Sequence, residues 1–99
     1  MLHRLAEEVP DKPLLVAEHG VGTTDDEWRY SVLRDSLAEV ERAIDDGIDV
    51  RGFFHWTGVD NYEWHRGLTV PFGLFDLDRT PKPSAALAES FARRGAPPA

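Results

Sequence analysis

The sequence predicts an α/β fold built from part of a larger sheet. Three observations carry this. Segments with helical and strand patterns alternate along the chain as helix, strand, helix, strand, loop, helix, which implies parallel strands joined by right-handed crossovers. Residues 14–17, "LLVA", form an unbroken apolar run, as expected of a strand covered on both faces. Both strand candidates end in polar and aromatic clusters, the pattern of α/β sheets and barrels whose sites lie beyond the carboxyl ends of their strands. Two parallel strands need further neighbours. The pattern is therefore that of a slice of a doubly wound sheet or of a barrel.

Taken in order, the first nine residues read as a helix with Leu2, Leu5, Ala6 and Val9 on one face. Pro10 and the "DKP" turn stop it. The strand at 14–17 follows, then the loop "GVGTTDDEW". Thr24 and Glu27 have the spacing of a capping box, and Asp25 and Asp26 favour a helix N-terminus. Tyr30, Leu33, Leu37, Val40 and Ile44 recur at helical spacing through residue 46, and Gly47 suits the helix end. "DVRGFFHW" predicts a second strand around 50–56. "TGVDNYEWHRG" reads as a polar and aromatic loop, and "LTVPFGLFDLD" as an extended hairpin or irregular crossing. "KPSAALAESFARRG" predicts a closing helix that buries Leu87 and Phe91. A single domain over 1–95 and a disordered tail at 96–99 are expected.

Composition narrows the function classes. The chain has 99 residues and a formal net charge of −7. That balance argues against nucleic acid as a partner, because phosphate binding needs clustered Lys and Arg. No apolar run is long enough to span a membrane, and "MLHRLAEEVP" lacks a signal-peptide core. There is no cysteine, which fits a reducing, cytoplasmic compartment. The four histidines form no HxxxH or HxH pair, so neither a metal site nor any other cofactor is expected.

The chemistry-bearing residues gather at the strand ends. Glu18 closes the first strand, and His55, Trp56, Asp60, Asn61, Glu63 and Trp64 follow the second. Carboxylates and an amide bind hydroxyl groups, and indole faces cover the apolar C–H faces of a sugar ring. The constellation therefore suits a polyhydroxylated ring. Taken singly, each residue also has an ordinary structural use: a loop acid, a core tryptophan, a turn.

Three stretches in order go further. "LLVAEHG" resembles the "TENG" strand of the family 1 glycoside hydrolases, the β-glucosidase family. "RGFFHWTGVDNYEW" is similar to that family's "GYFHWSLLDNFEW", and "PFGLFDLDRTPKPSA" to its "RFGLVHVDY…PKDSA". Together they cover about residues 10–92. The resemblance implies the C-terminal quarter of a (β/α)8 TIM barrel, strands seven and eight with their helices, incomplete as a barrel. It implies that Glu18 is the catalytic nucleophile, that Trp56 is a platform beneath the sugar, that Glu63 and Trp64 bind its hydroxyls, and that Phe72 lines the wall. The implied partner is a β-glycoside, together with the rest of a barrel or further copies of the chain. Two positions depart from the family pattern: His19 stands where the family has Asn, and Ala17 where it has Thr. His19 is placed to alter the electrostatics of Glu18.

A retaining glycosidase needs a second carboxyl group about 5–5.5 Å from the nucleophile. The family takes it from an "NEP" motif on strand four, which these 99 residues do not contain. The two-carboxylate template alone admits Glu63 in that role; the resemblance gives Glu63 a binding role. The 99-residue chain by itself is expected to be inactive. The alternatives are a non-catalytic sugar-binding or interaction fragment and an unrelated small α/β domain.

Overall fold

The computed structural model describes residues 1–94, so the expected tail at 96–99 lies outside the described residues. The elements run α1 (Leu2–Glu8), β1 (Leu14–His19), α2 (Asp26–Asp45), β2 (Val50–His55) and α3 (Pro83–Arg94). β1 and β2 pair in parallel, with α2 as the crossover between them. The alternation read from the sequence is thus present, and the segment between β2 and α3 is an irregular crossing held by isolated bridges from Phe75 to Val59 and Pro81.

α2 forms where the pattern places it, but its cap differs from the expected capping box. Asp25, not Thr24, is the N-cap, accepting from the backbone N–H groups of Glu27 and Trp28. The Thr23 hydroxyl accepts from Asp25 N–H, and the Asp25 carboxylate closes the first turn. At the other end Gly47 takes φ +89°, and the N–H groups of Gly47 and Ile48 return to the carbonyls of Ile44 and Ala43. That is a Schellman closure, which favours glycine at this position because a Cβ is strained there.

One face of the two-stranded sheet is covered and the other is open. Leu14 of β1 and Leu33 and Ala43 of α2 are buried, and α3 adds Ala85 and Leu87. Leu15 and Phe54 are each 57% exposed on the opposite face, where a Cβ on Gly52 would meet both. The strand at 14–17 is therefore covered on one side only, contrary to the expectation of burial on both. α1 buries none of its residues, and Phe91 is half-buried with the Arg94 guanidinium stacked on its ring. The accessible surface of 7081 Å² exceeds the roughly 5,700 Å² of a compact monomer of this mass. An apolar groove of about 660 Å³ between α2, β2 and α3 completes the picture of a body missing its neighbours. It is lined by residues such as Leu37, Val40 and Phe53; of the strand-end residues singled out in the sequence, His55 lines it and Glu18, Trp56, Glu63, Trp64 and Phe72 do not.

Candidate functional site

The site forms at the carboxyl ends of β1 and β2. The Trp56 backbone N–H donates to the His19 carbonyl at 3.0 Å, so the residues that follow Glu18 and those that follow His55 leave the sheet side by side. Gly20 lies against the Trp56 carbonyl so closely that a Cβ there would collide with it. The Trp56–Thr57 peptide bond is cis.

The register of β1 shifts between Val16 and His19. This irregularity turns His19 toward α2, where its Nε2 lies 3.1 Å from the Ser36 hydroxyl and its ring packs 5.5 Å from Phe53. His19 thus finds partners on the covered side of the sheet. Glu18 is exposed, with its side chain free of hydrogen bonds among the described residues.

Glu63 is the carboxylate with hydrogen-bond partners. Its Oε1 accepts from the Trp56 indole Nε1–H at 3.1 Å and from the Asn61 amide at 2.9 Å, and its backbone N–H donates to the Gly67 carbonyl at 2.8 Å. The sequence-predicted pair Trp56 and Glu63 is therefore joined directly. The Phe72 ring packs against the loop after β1, since a Cβ on Gly22 would strike it and Val70. Trp64 stands apart from this cluster, 90% exposed.

Residues that sequence reasoning missed hold these loops together. Arg29 is 1% exposed, although it sits in an α2 otherwise read for its apolar stripe. Its guanidinium donates to Asp26 Oδ1 at 2.8 Å and to the carbonyls of Thr23 at 2.5 Å and Pro71 at 2.6 Å. Asp26 in turn accepts from the Ser84 backbone N–H and hydroxyl at 2.9 and 2.7 Å, which joins the starts of α2 and α3. Burial works against the Asp26 charge, but the bonds from Arg29 and Ser84 outweigh it and hold its carboxyl below the usual value. The available signal was Arg29 standing four residues before Leu33, on the same stripe as Leu37.

His55 lies on the covered side as well. Its Nε2 is 3.2 Å from the Phe72 carbonyl and donates to it in the neutral ring. Burial, aided by the nearby charges of Arg29 and His19, keeps its pKa below the ordinary histidine value. Among the described residues no cluster of three metal-ligating side chains occurs.

Comparison with known proteins fits this arrangement. The family model for glycosyl hydrolase family 1 matches residues 1–95. The β-galactosidase of Sulfolobus acidocaldarius is 38% identical over 86 residues, covering 82% of this chain and 18% of that protein. The β-glycosidase of Thermosphaera aggregans superposes with a TM-score of 0.89 at 33% identity, over 98% of this chain and 21% of that structure. The apo structure of β-glucosidase 1317 gives a TM-score of 0.84 at 44% identity, over 95% of this chain and 25% of the other. The chain spans about a fifth of the length of the curated relatives it matches. The small open α/β body thus corresponds to about a quarter of a family barrel, and the chain belongs to glycosyl hydrolase family 1.

Proposed function

We propose that the chain supplies the nucleophile and part of the sugar subsite of a retaining β-glycosidase. In this reading β1 and β2 are barrel strands seven and eight. The observation that carries it is that β1 and β2 end side by side, Trp56 N–H donating to the His19 carbonyl, with Glu18 next to His19 in β1 and the Trp56–Glu63 pair leaving β2. The family match across residues 1–95 supports it.

The chemistry follows from two carboxyl groups. Glu18 attacks the anomeric carbon, and the glycosidic C–O bond breaks with its electron pair leaving on oxygen. That oxygen takes a proton from the second carboxyl group, which then activates water to release the glycosyl-enzyme ester. In this reading Glu63 keeps a binding role, its Oε1 accepting from Trp56 and Asn61, and the acid is a different carboxyl group. The family's acid stands in an "NEP" motif that these 99 residues lack. Glu18 is exposed at the end of β1, and His19 packs toward Ser36 instead of forming part of the sugar surface. Trp56 and Phe72 supply apolar faces for the ring, and Glu63 and Trp64 bind its hydroxyls, Glu63 as acceptor and the Trp64 indole N–H as donor. A sugar hydroxyl adds to, or replaces, one of the donors now on Glu63.

The substrate class in this reading is a β-glucoside or β-galactoside. The 99-residue chain alone gives no turnover, because the proton donor and the opposite barrel wall lie outside it. The test is a chimera in which residues 1–95 replace the matching quarter of the Sulfolobus acidocaldarius β-galactosidase. It should hydrolyse aryl β-glycosides, and Glu18→Gln in it should lower kcat by several orders of magnitude, as loss of a covalent nucleophile does. A folded chimera that keeps near-normal activity with Glu18→Gln would remove Glu18 from the mechanism.

A further inference from the structure

Three consecutive residues, Pro71, Phe72 and Gly73, are held by four different parts of the chain. The Pro71 carbonyl accepts from Thr23 N–H at 2.9 Å and from Arg29 at 2.6 Å. The Phe72 carbonyl accepts from Thr57 N–H at 3.1 Å and from His55. Gly73 N–H donates to Asp60 Oδ1 at 2.8 Å, and its carbonyl accepts from Lys82 Nζ at 2.9 Å. A Cβ on Gly73 would meet the backbone of Val59, Asp60 and Phe75, so the segment is packed against the loop after β2.

Lys82 closes this arrangement. Its ammonium also donates to Asp60 Oδ1 at 2.7 Å, and its backbone N–H donates to the Leu74 carbonyl at 2.9 Å. The Lys82 and Asp60 side chains are only 17% and 16% exposed, so the pair is screened far less than a surface ion pair. Asp60 opens the sequence "DNYEW", whose Glu63 accepts from the Trp56 indole and from the Asn61 amide. Among the described residues Lys82 makes no hydrogen bond to Trp56 or Glu63.

We propose that Lys82 is a positioning residue for the sugar subsite. Through Asp60 and Gly73 it fixes the loop at 57–63, and with it the direction of the Glu63 carboxylate and the Trp56 indole. Its value to the site rests on the reading of Glu63 and Trp56 as sugar-binding residues. The mechanical claim concerns the loop alone and can be measured without sugar.

The readout is the Trp56 indole proton in the nitrogen-15-labelled 99-residue chain, assigned by Trp→Phe replacement. Trp64, which stands in solvent, is the internal reference. In Lys82→Met the long stem is kept and the charge is lost. The Trp56 indole should then exchange with solvent about tenfold faster or more, since a hydrogen bond to a charged group is being loosened. Its resonance should move toward that of Trp64, while the amides of α2 keep their protection. Asp60→Asn keeps an acceptor for Gly73 N–H but loses the ion pair. It should shift the indole in the same direction by a smaller amount, and it decides the question if Lys82→Met fails to fold. An unchanged Trp56 indole in the folded variants overturns the proposal. So does a parallel loss of protection in α2, which would make Lys82 a general stabiliser. Adding methyl β-D-glucoside to the unaltered chain is a separate arm. A Trp56 indole that never responds to it bears against the sugar-site reading and leaves the positioning result standing.

Discussion

Replacing Arg29 with Met tests the packing that holds the site. Met matches the buried stem but removes three hydrogen bonds, to Asp26, Thr23 and Pro71. Breaking a buried ion pair costs about 3–5 kcal/mol, because the remaining charge is left unpaired. Asp26 is 17% exposed on its side chain and keeps its two bonds from Ser84, which places the loss near the lower end, about 3 kcal/mol. A chain of this size has a total stability on the order of 5–15 kcal/mol, so the loss is a large fraction of it. With an m-value near 1.5 kcal/mol/M the urea midpoint should fall by about 2 M. Far-ultraviolet circular dichroism and tryptophan fluorescence, at matched protein concentration, give that midpoint. Arg29→Met combined with Asp26→Leu should be less harmful than the two single effects added, by about 1 kcal/mol or more. A loss below about 1 kcal/mol in Arg29→Met, or strict additivity in the double variant, would show that the network does not hold the strand-end loops.

Further consequences can be measured in the same or related proteins. Stability should fall in two acid steps. The neutral, buried His55 is favoured at high pH, so its contribution is complete above the unfolded histidine value of about 6.5 and declines as pH drops from there toward its lowered folded value. The Asp26 contribution is complete above about pH 4 and is lost as pH falls through its own lowered value. Urea midpoints across pH 3–8 should therefore decline on acidification, and His55→Gln should flatten the upper step; an upper step that persists in His55→Gln would assign it elsewhere. In the chimera, Glu63→Ala should weaken transition-state binding by roughly 1–3 kcal/mol and change the ratio of glucoside to galactoside turnover, because hydroxyl partners are left unpaired. Equal and unchanged kcat/KM for both substrates would make the loop purely structural. The open face bearing Leu15 and Phe54, and the unpaired strand edges, should drive the 99-residue chain to associate; a strictly monomeric sedimentation profile at high concentration would contradict this.

Much of this was legible in the sequence, for identifiable reasons. The apolar period of α2, the run at 14–17 and the turn chemistry of Gly47 are local signals, and each element formed where they stand. In the joined pair, Trp56 closes the predicted second strand and Glu63 lies in the loop directly after it, so sequence nearness carried it. What was not legible is long-range. Nothing local says that Arg29 reaches a carbonyl 42 residues away, or that Ser84 caps onto Asp26 across 58 residues. Lys82 reads as a surface lysine before a helix until the fold brings Asp60 beside it. The exposure of Leu15 was hidden for the opposite reason: its sequence expects a covering layer that this chain does not itself supply.

The most direct measurement is covalent trapping at Glu18. A dinitrophenyl 2-deoxy-2-fluoroglucoside carries a leaving group that needs no proton, and its fluorine slows hydrolysis of the glycosyl-enzyme ester, so the nucleophile keeps the sugar. The chimera carrying residues 1–95 should be inactivated with one equivalent of sugar attached. Peptide mass spectrometry should place that sugar on Glu18, and Glu18→Gln should take up none. Attachment to Glu63 or to a residue outside residues 1–95, or an active chimera that is never labelled, would contradict the assignment of Glu18 as the nucleophile.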